Sequence, residues 1–167
     1  MIGELLSNAQ HSSFRRWVLN RMLWVKIPFN RPHRIQIINI EPEAVTMRLP
    51  YVKRNKNHIN GLHACALATL CEYISGISLA RVLDAKKYRF ILQKLEMNYH
   101  YQAKKDVIAR LELTEKWIND EFVVPLQSIP AIVMELKIEL FDPDNNLICT
   151  GKPVWQVKKW ESVKTKI

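Results

Sequence analysis

The sequence predicts an α+β domain in which an antiparallel sheet wraps one long buried helix. Three observations carry that prediction. The stretch His63–Val82 is apolar on nearly every side, as a helix is when other structure covers it all round. Segments before and after it alternate apolar and polar residues, the period of a half-buried strand. Short turn signals rather than long linkers separate these segments, so helix and strands must share one core.

Each element follows from local chemistry. Residues 3–24 read as an amphipathic helix, with Leu5, Leu6, Phe14, Trp17, Val18 and Met22 on an apolar side and Arg15, Arg16 and Arg21 on a basic one. A break is expected near Gln10–Ser13, where Ser12 or Ser13 can cap a second helix. Pro28 and Pro32 end regular structure. Two short strands follow over 34–41 and 43–50, joined by a turn at Glu41-Pro42-Glu43. Residues 51–62 form a polar, basic loop that runs into the long helix.

Beyond the helix, 90–101 alternates with Ile91, Leu95, Met97, Tyr99 and Tyr101 on one face. Residues 106–114 continue with Val107, Ala109, Leu111 and Leu113, and Gln102–Lys105 suits a hairpin connection between the two. Glu115–Phe122 reads as a short helical turn. Residues 131–141 turn Ile132, Met134, Leu136, Ile138 and Leu140 inward, and Asp142-Pro143-Asp144-Asn145-Asn146 is a strong turn. A last strand spans about Leu147–Trp160, with an irregularity expected at Gly151 or Pro153.

The length of 167 residues fits one domain, 1–167, with an N-terminal helical extension over about 1–30. Apolar residues at 48% and charged ones at 25% exclude a disordered chain. The net charge of +9 suits a polyanionic partner, whether nucleic acid, a phosphate-rich ligand or an acidic membrane surface. Much of it lies early, in Arg15, Arg16, Arg21, Lys26, Arg31 and Arg34 against Glu4, and a second group closes the chain at Lys158, Lys159, Lys164 and Lys166. Such a basic helix can lie on a membrane or pack across its own domain.

Cys65, Cys71 and Cys149 are odd in number and lack CxxC spacing, so reduced, buried cysteines in a cytoplasmic protein are expected, with no metal site. The chain start lacks a basic region followed by an apolar one, so no signal peptide is expected. The most membrane-like stretch, Leu62–Ala80, contains His63, Glu72 and Tyr73 and reads better as a buried globular helix.

The chemistry concentrates between Asn57 and Glu72. Polar side chains stand where the helix begins, and helix starts present free N–H groups and a positive dipole end. Those groups suit a carbonyl oxygen that gains charge during acyl transfer. Glu72 stands among Leu70, Cys71, Tyr73 and Ile74, and a buried carboxylate needs a reason. It either emerges on a solvent stripe or pairs with a basic residue, or it serves chemistry. Glu72 lies nine residues beyond His63. That spacing amounts to roughly 13 Å of helix and nearly opposite faces, so the two cannot share a site within one subunit.

This stretch resembles the signature of hotdog-fold thioesterases of the phenylacetate-pathway type, and the chain is most similar to the DUF4442 group. That pattern places an Asn before a His at the start of the central helix and an acid nine residues after the His; here Asn57 falls six before His63, and Glu72 nine after it. The resemblance covers the element order over about 34–160. It implies that Glu72 polarises water or attacks a thioester carbonyl, with Asn57 of a partner subunit orienting water or carbonyl. It further implies that His63 positions the helix entrance, and that the backbone N–H of Ala64, with Cys65, stabilises the oxyanion. The family's Gly-Gly after the His is Ala64-Cys65 here, which crowds the approach of a ligand to backbone.

The expected function is acyl-CoA thioester hydrolysis at the interface of a homodimer or dimer of dimers, with no cofactor beyond the CoA of the substrate. Lys53, Arg54, Lys56 and His58 beside the entrance are candidates for the CoA phosphates, as are Arg81, Lys86, Lys87 and Arg89. The alternative is a non-catalytic module that binds acyl-CoA or lipid. Nucleic-acid binding is not expected, because no zinc pattern or glycine-rich loop accompanies the charge and aromatics are not interleaved with it.

Overall fold

In the computed structural model, which describes residues 2–163, the chain order is α1 (Ile2–Ala9), α2 (Ser13–Lys26), β1 (Gln36–Ile40), β2 (Ala44–Leu49), α3 (Ala64–Val82), β3 (Tyr88–Tyr99), β4 (Val107–Glu112), α4 (Glu115–Ile118), α5 (Pro125–Ser128), β5 (Ala131–Glu135), β6 (Ile138–Phe141) and β7 (Leu147–Lys159). Lys164 and Lys166 lie outside the described residues. The strands form one antiparallel sheet of order β1-β2-β4-β6-β7-β3, with β5 also paired to β7. This sheet curls around α3, which packs on β2, β3, β4 and β7. Helix α3 is long and apolar enough to cross a membrane by length and composition, but 67% of that window is buried inside the fold. It is the core helix that the composition predicts.

The break between the first two helices is where expected, with the Ser12 hydroxyl accepting from the Arg15 N–H at 3.3 Å. The faces of α2 are not. Leu19, Asn20 and Leu23 point inward, whereas Phe14, Trp17 and Met22, predicted as part of the packed side, are exposed. Asn20 decides the orientation. Its amide donates to the Ile37 carbonyl at 3.0 Å and accepts from the Ile37 N–H at 2.8 Å, and Trp24 donates to the Ile35 carbonyl. Helix α2 thereby satisfies the outer edge of β1, an edge that would otherwise be open to another strand.

The pairing of β3 departs from the expected hairpin with β4. β3 runs antiparallel to β7 from Tyr88↔Lys159 to Tyr99↔Cys149, and β4 lies between β2 and β6. The connection leaves the sheet instead of turning back. His100 and Tyr101 N–H groups both donate to the Ile148 carbonyl, and the Ala103 carbonyl accepts from Leu62 at the mouth of α3.

A bulge at Gln93, between the pairs Leu92↔Trp155 and Lys94↔Val154, shifts the register. An extra residue reverses which side chains face in. Phe90 and Leu92 therefore point inward before it and Leu95 and Met97 after it, while Ile91, assigned to the inner face, is 44% exposed. Tyr99 and Tyr101 are also exposed, at and beyond the end of the paired strand.

The segment 131–141 is two strands, β5 and β6, on successive stretches of β7. Leu136 N–H donates to the Pro153 carbonyl at 2.9 Å. A strand residue's N and O face the same neighbour, so the donor that Pro153 lacks falls where β5 gives way to β6. β7 itself runs unbroken through Gly151 and Pro153, and the irregularity sits at Ile148, where the β6 register shifts. Gly151 answers a packing demand: a Cβ there would lie 2.2 Å from the Cys71 Sγ, so only glycine lets α3 lie this close to β7.

Candidate active site

Helix α3 begins with its own side-chain cap. His63 is the N-cap residue, its Nδ1 accepting from the Cys65 N–H at 3.1 Å, and its backbone N–H donates to the Asn55 carbonyl at 2.7 Å. With Nδ1 accepting, the neutral ring carries its proton on Nε2. The Ala66 and Leu67 N–H groups turn to the His63 carbonyl. The Ala64 N–H is thus left without a partner among the described residues. Of the two expected oxyanion donors, Ala64 is free, and Cys65 is already engaged by the cap. Cys65 is also exposed rather than buried as expected; Cys71 and Cys149 are the buried pair, their thiols pushed up to about 12 mainly by burial.

Asn57 holds the loop before the helix. Its Oδ1 accepts from the N–H groups of Ile59 and Gly61, at 3.1 and 3.0 Å, and its side-chain amide donates to none of the described residues. Asn60 takes positive φ in this turn. His58, Lys53 and Arg54 are exposed, and Lys56 lies over the Tyr51 ring at 3.6 Å. Lys53, Arg54 and Lys56 put positive charge on the loop that leads into α3, with His58 beside them.

Lys86, Lys87 and Arg89 follow the other end of the helix, where Arg89 donates to Gln156. Arg81 is engaged inside the fold, its guanidinium donating to the carbonyls of Pro42 and Leu113. It ties the helix end to the β1–β2 turn and to the end of β4, and it is not free to hold a phosphate as expected from its charge.

Glu72 opens into a cavity of about 710 Å³. One wall is α3, where Ala68, Thr69 and Gly76 flank Glu72 and Ala80 lies two turns on; the opposite wall is Phe90, Leu92, Leu95 and Trp155 of the sheet; Ile2, Ile27 and Phe29 of the N-terminal extension complete it. The positions three and four residues from Glu72 on its helix face are thus small or short, which leaves room above the carboxylate. Gly76 serves a second end, since a Cβ there would press to 3.3 Å on the Trp155 ring.

The Glu72 carboxylate accepts no hydrogen bond and forms no salt bridge among the described residues. Burial raises its pKa above the ordinary value of 4.5, and burial, with the Glu72 charge second, pushes the neighbouring Tyr73 phenol up. Of the two structural roles left open by the sequence, the basic partner is absent among the described residues, and the half-buried carboxylate reaches solvent only through the cavity mouth. Its backbone is held firmly. The buried Trp155 indole donates to the Ser75 hydroxyl at 2.9 Å, and that hydroxyl donates to the Glu72 carbonyl at 2.7 Å.

His63, Asn57, Ala64 and Cys65 do not line this cavity. One chain keeps the acid and the amide-rich helix start apart, as their spacing requires. The sheet residues and the N-terminal extension in the cavity wall were not foreseen as site residues. Only the small residues around Glu72 at helical spacing signalled them.

The family model for the domain of unknown function DUF4442 matches residues 15–157. No curated protein matches the chain. Solved structures do. A Pseudomonas aeruginosa protein of unknown function described as a probable thioesterase is 23% identical, with TM-score 0.77 over 84% of this chain and 94% of that one. A Haemophilus influenzae thioesterase is 15% identical, with TM-score 0.66 over 88% and 92%. A variant of a Staphylococcus aureus thioesterase is 18% identical, with TM-score 0.62 over 78% and 98%. At these identities the likeness is one of fold.

Proposed function

The chain belongs to the DUF4442 family and shares the hotdog fold of solved thioesterases, and on that footing we propose that it hydrolyses an acyl thioester, of the acyl-CoA class, with Glu72 as the acting carboxylate. The observation that carries this reading is a carboxylate without a partner, its pKa raised by burial, in an apolar cavity of about 710 Å³. The apolar walls suit an acyl chain, and a raised pKa makes the carboxylate a stronger base.

In the proposed reaction Glu72 takes a proton from water as the oxygen bonds to the thioester carbonyl carbon. The oxyanion that forms is held by the free Ala64 N–H. Collapse breaks the C–S bond, and the thiolate leaves with the proton held by Glu72. The products are a carboxylic acid and a thiol. A thiolate is already a fair leaving group, so one carboxylate and one oxyanion donor suffice.

The oxyanion donor must come from a second subunit. Among the described residues β3 pairs on one side only, which leaves a 12-residue edge for a copy of itself. In full antiparallel register, Tyr88 would stand opposite the partner's Tyr99. The Tyr99 hydroxyl donates to the Ala64 carbonyl at 3.0 Å, so this pairing carries the partner's helix entrance toward Phe90 and Leu92. Those residues line the cavity into which Glu72 opens, on the sheet wall that faces α3. A homodimer of this kind unites the two halves of the site and sets Lys53, Arg54, Lys56 and His58 beside the cavity to receive CoA phosphates.

The test is turnover of short, medium, long and aromatic acyl-CoAs by the wild type and Glu72→Gln. The variant should lose about 100-fold or more in kcat and still bind substrate. A variant within a few-fold of wild type rejects the role of Glu72. Saturable binding without wild-type turnover favours the acyl-binding module.

A further inference from the structure

Helix α2 carries an apolar face that the fold leaves uncovered. Phe14 is 71% exposed, Trp17 55% and Val25 72%, and Phe29 just beyond the helix is 69% exposed. These are not scattered. Phe14, Trp17, Arg21 and Val25 follow one another at three- and four-residue steps, so they share the side of α2 opposite Leu19 and Leu23. Phe14 stacks on Trp17 at 6.1 Å, and the Arg21 guanidinium lies over the rings of Trp17 and Trp24 at 5.3 and 5.0 Å.

The charge around this face has one sign. From Ser13 to Arg34 the chain holds Arg15, Arg16, Arg21, Lys26, Arg31 and Arg34 and no acidic residue. None of the six forms a salt bridge among the described residues. Arg15 and Arg16 instead donate to the last carbonyls of α1 and its turn, at Asn8, Ala9 and Gln10, and so fix the two helices as one unit.

We infer that this face docks the protein on an anionic lipid bilayer. A second copy is a poor occupant, because it would bring the same cations against these. A bilayer with acidic headgroups supplies both complements at once: apolar depth for Phe14, Trp17, Val25 and Phe29, and negative charge for the arginines at their sides. The face is also continuous with the cavity, since Ile27 and Phe29 line it. A docked protein would hold that wall at the lipid surface, where long acyl chains reside. This last link rests on the acyl-site reading above; the docking does not.

The experiment is co-sedimentation of the full chain with vesicles. One set is phosphatidylcholine with about 30 mol% phosphatidylglycerol, and the other is phosphatidylcholine alone. Wild type should pellet with the anionic vesicles, and much less with the neutral ones. About 0.5 M salt should release most of it. Phe14→Ser/Val25→Ser and Arg21→Gln/Lys26→Gln should each weaken partitioning by about tenfold or more. Glu72→Gln should bind as wild type does, which keeps docking separate from catalysis.

No binding to anionic vesicles overturns the inference, as does equal binding to both sets or indifference to both double variants. A change of oligomeric state in Phe14→Ser/Val25→Ser would also overturn it, because the face would then belong to a second copy. Loss of binding in Glu72→Gln would likewise overturn it, by moving the contact from the helix to the cavity.

Discussion

Glu72 holds a carboxyl group where its charged form is disfavoured, and that has a consequence for stability. The pKa is raised in the folded state by desolvation, so the native protein holds this proton more tightly than the unfolded chain does. The resulting stabilisation is complete below the unfolded value of 4.5 and is lost as pH rises through the folded pKa. Above that window the ionised carboxylate is a constant burden. Glu72→Gln should therefore be more stable than wild type at neutral pH, and the gain should vanish as pH falls toward 4.5. Urea midpoints across that range measure it, and a variant no more stable at neutral pH would mean that the carboxylate is paired or hydrated in solution. Sequence alone could single out Glu72 because no apolar neighbour explains it. It could not show the lack of a partner, which depends on what the sheet and the first helices bring over the helix face.

At the scale of elements, patterns confined to one segment were legible and patterns decided between segments were not. α3, its limits and the alternation of β4 follow from local composition. The faces of α2 do not, since Leu19 and Leu23 on one side and Phe14 and Trp17 on the other are equally apolar. A buried amide that bonds the edge of β1 settles which side faces in. Asn20→Ala should then cost roughly 1–3 kcal/mol, because it leaves the Ile37 N–H and carbonyl buried and unpaired. Denaturant unfolding checks this, and a loss below about 0.5 kcal/mol would mean that water replaces the amide. The face of Ile91 escaped for a similar reason. The bulge at Gln93 appears only in the pairing of β3 with β7, and one inserted residue inverts the alternation that β3 otherwise displays. The supposed β3–β4 hairpin failed because a permissive connection does not choose a strand's neighbour.

For the whole molecule, the spacing of nine residues between His63 and Glu72 was the most informative number in the sequence. It sets the two on opposite faces of one helix, and the fold agrees: the acid opens into the cavity, the helix entrance does not line it, and β3 has one unpaired edge among the described residues. The central claim is that two copies complete each other. Mixing two inactive variants tests it most directly. Glu72→Gln lacks the acid, and Asn57→Ala/His63→Ala lacks the entrance. After joint unfolding and refolding at equal amounts, half the dimers pair one of each and hold one intact site of two. About a quarter of wild-type acyl-CoA turnover should return, where each variant alone shows almost none. A mixture no more active than its separate components would contradict the shared site.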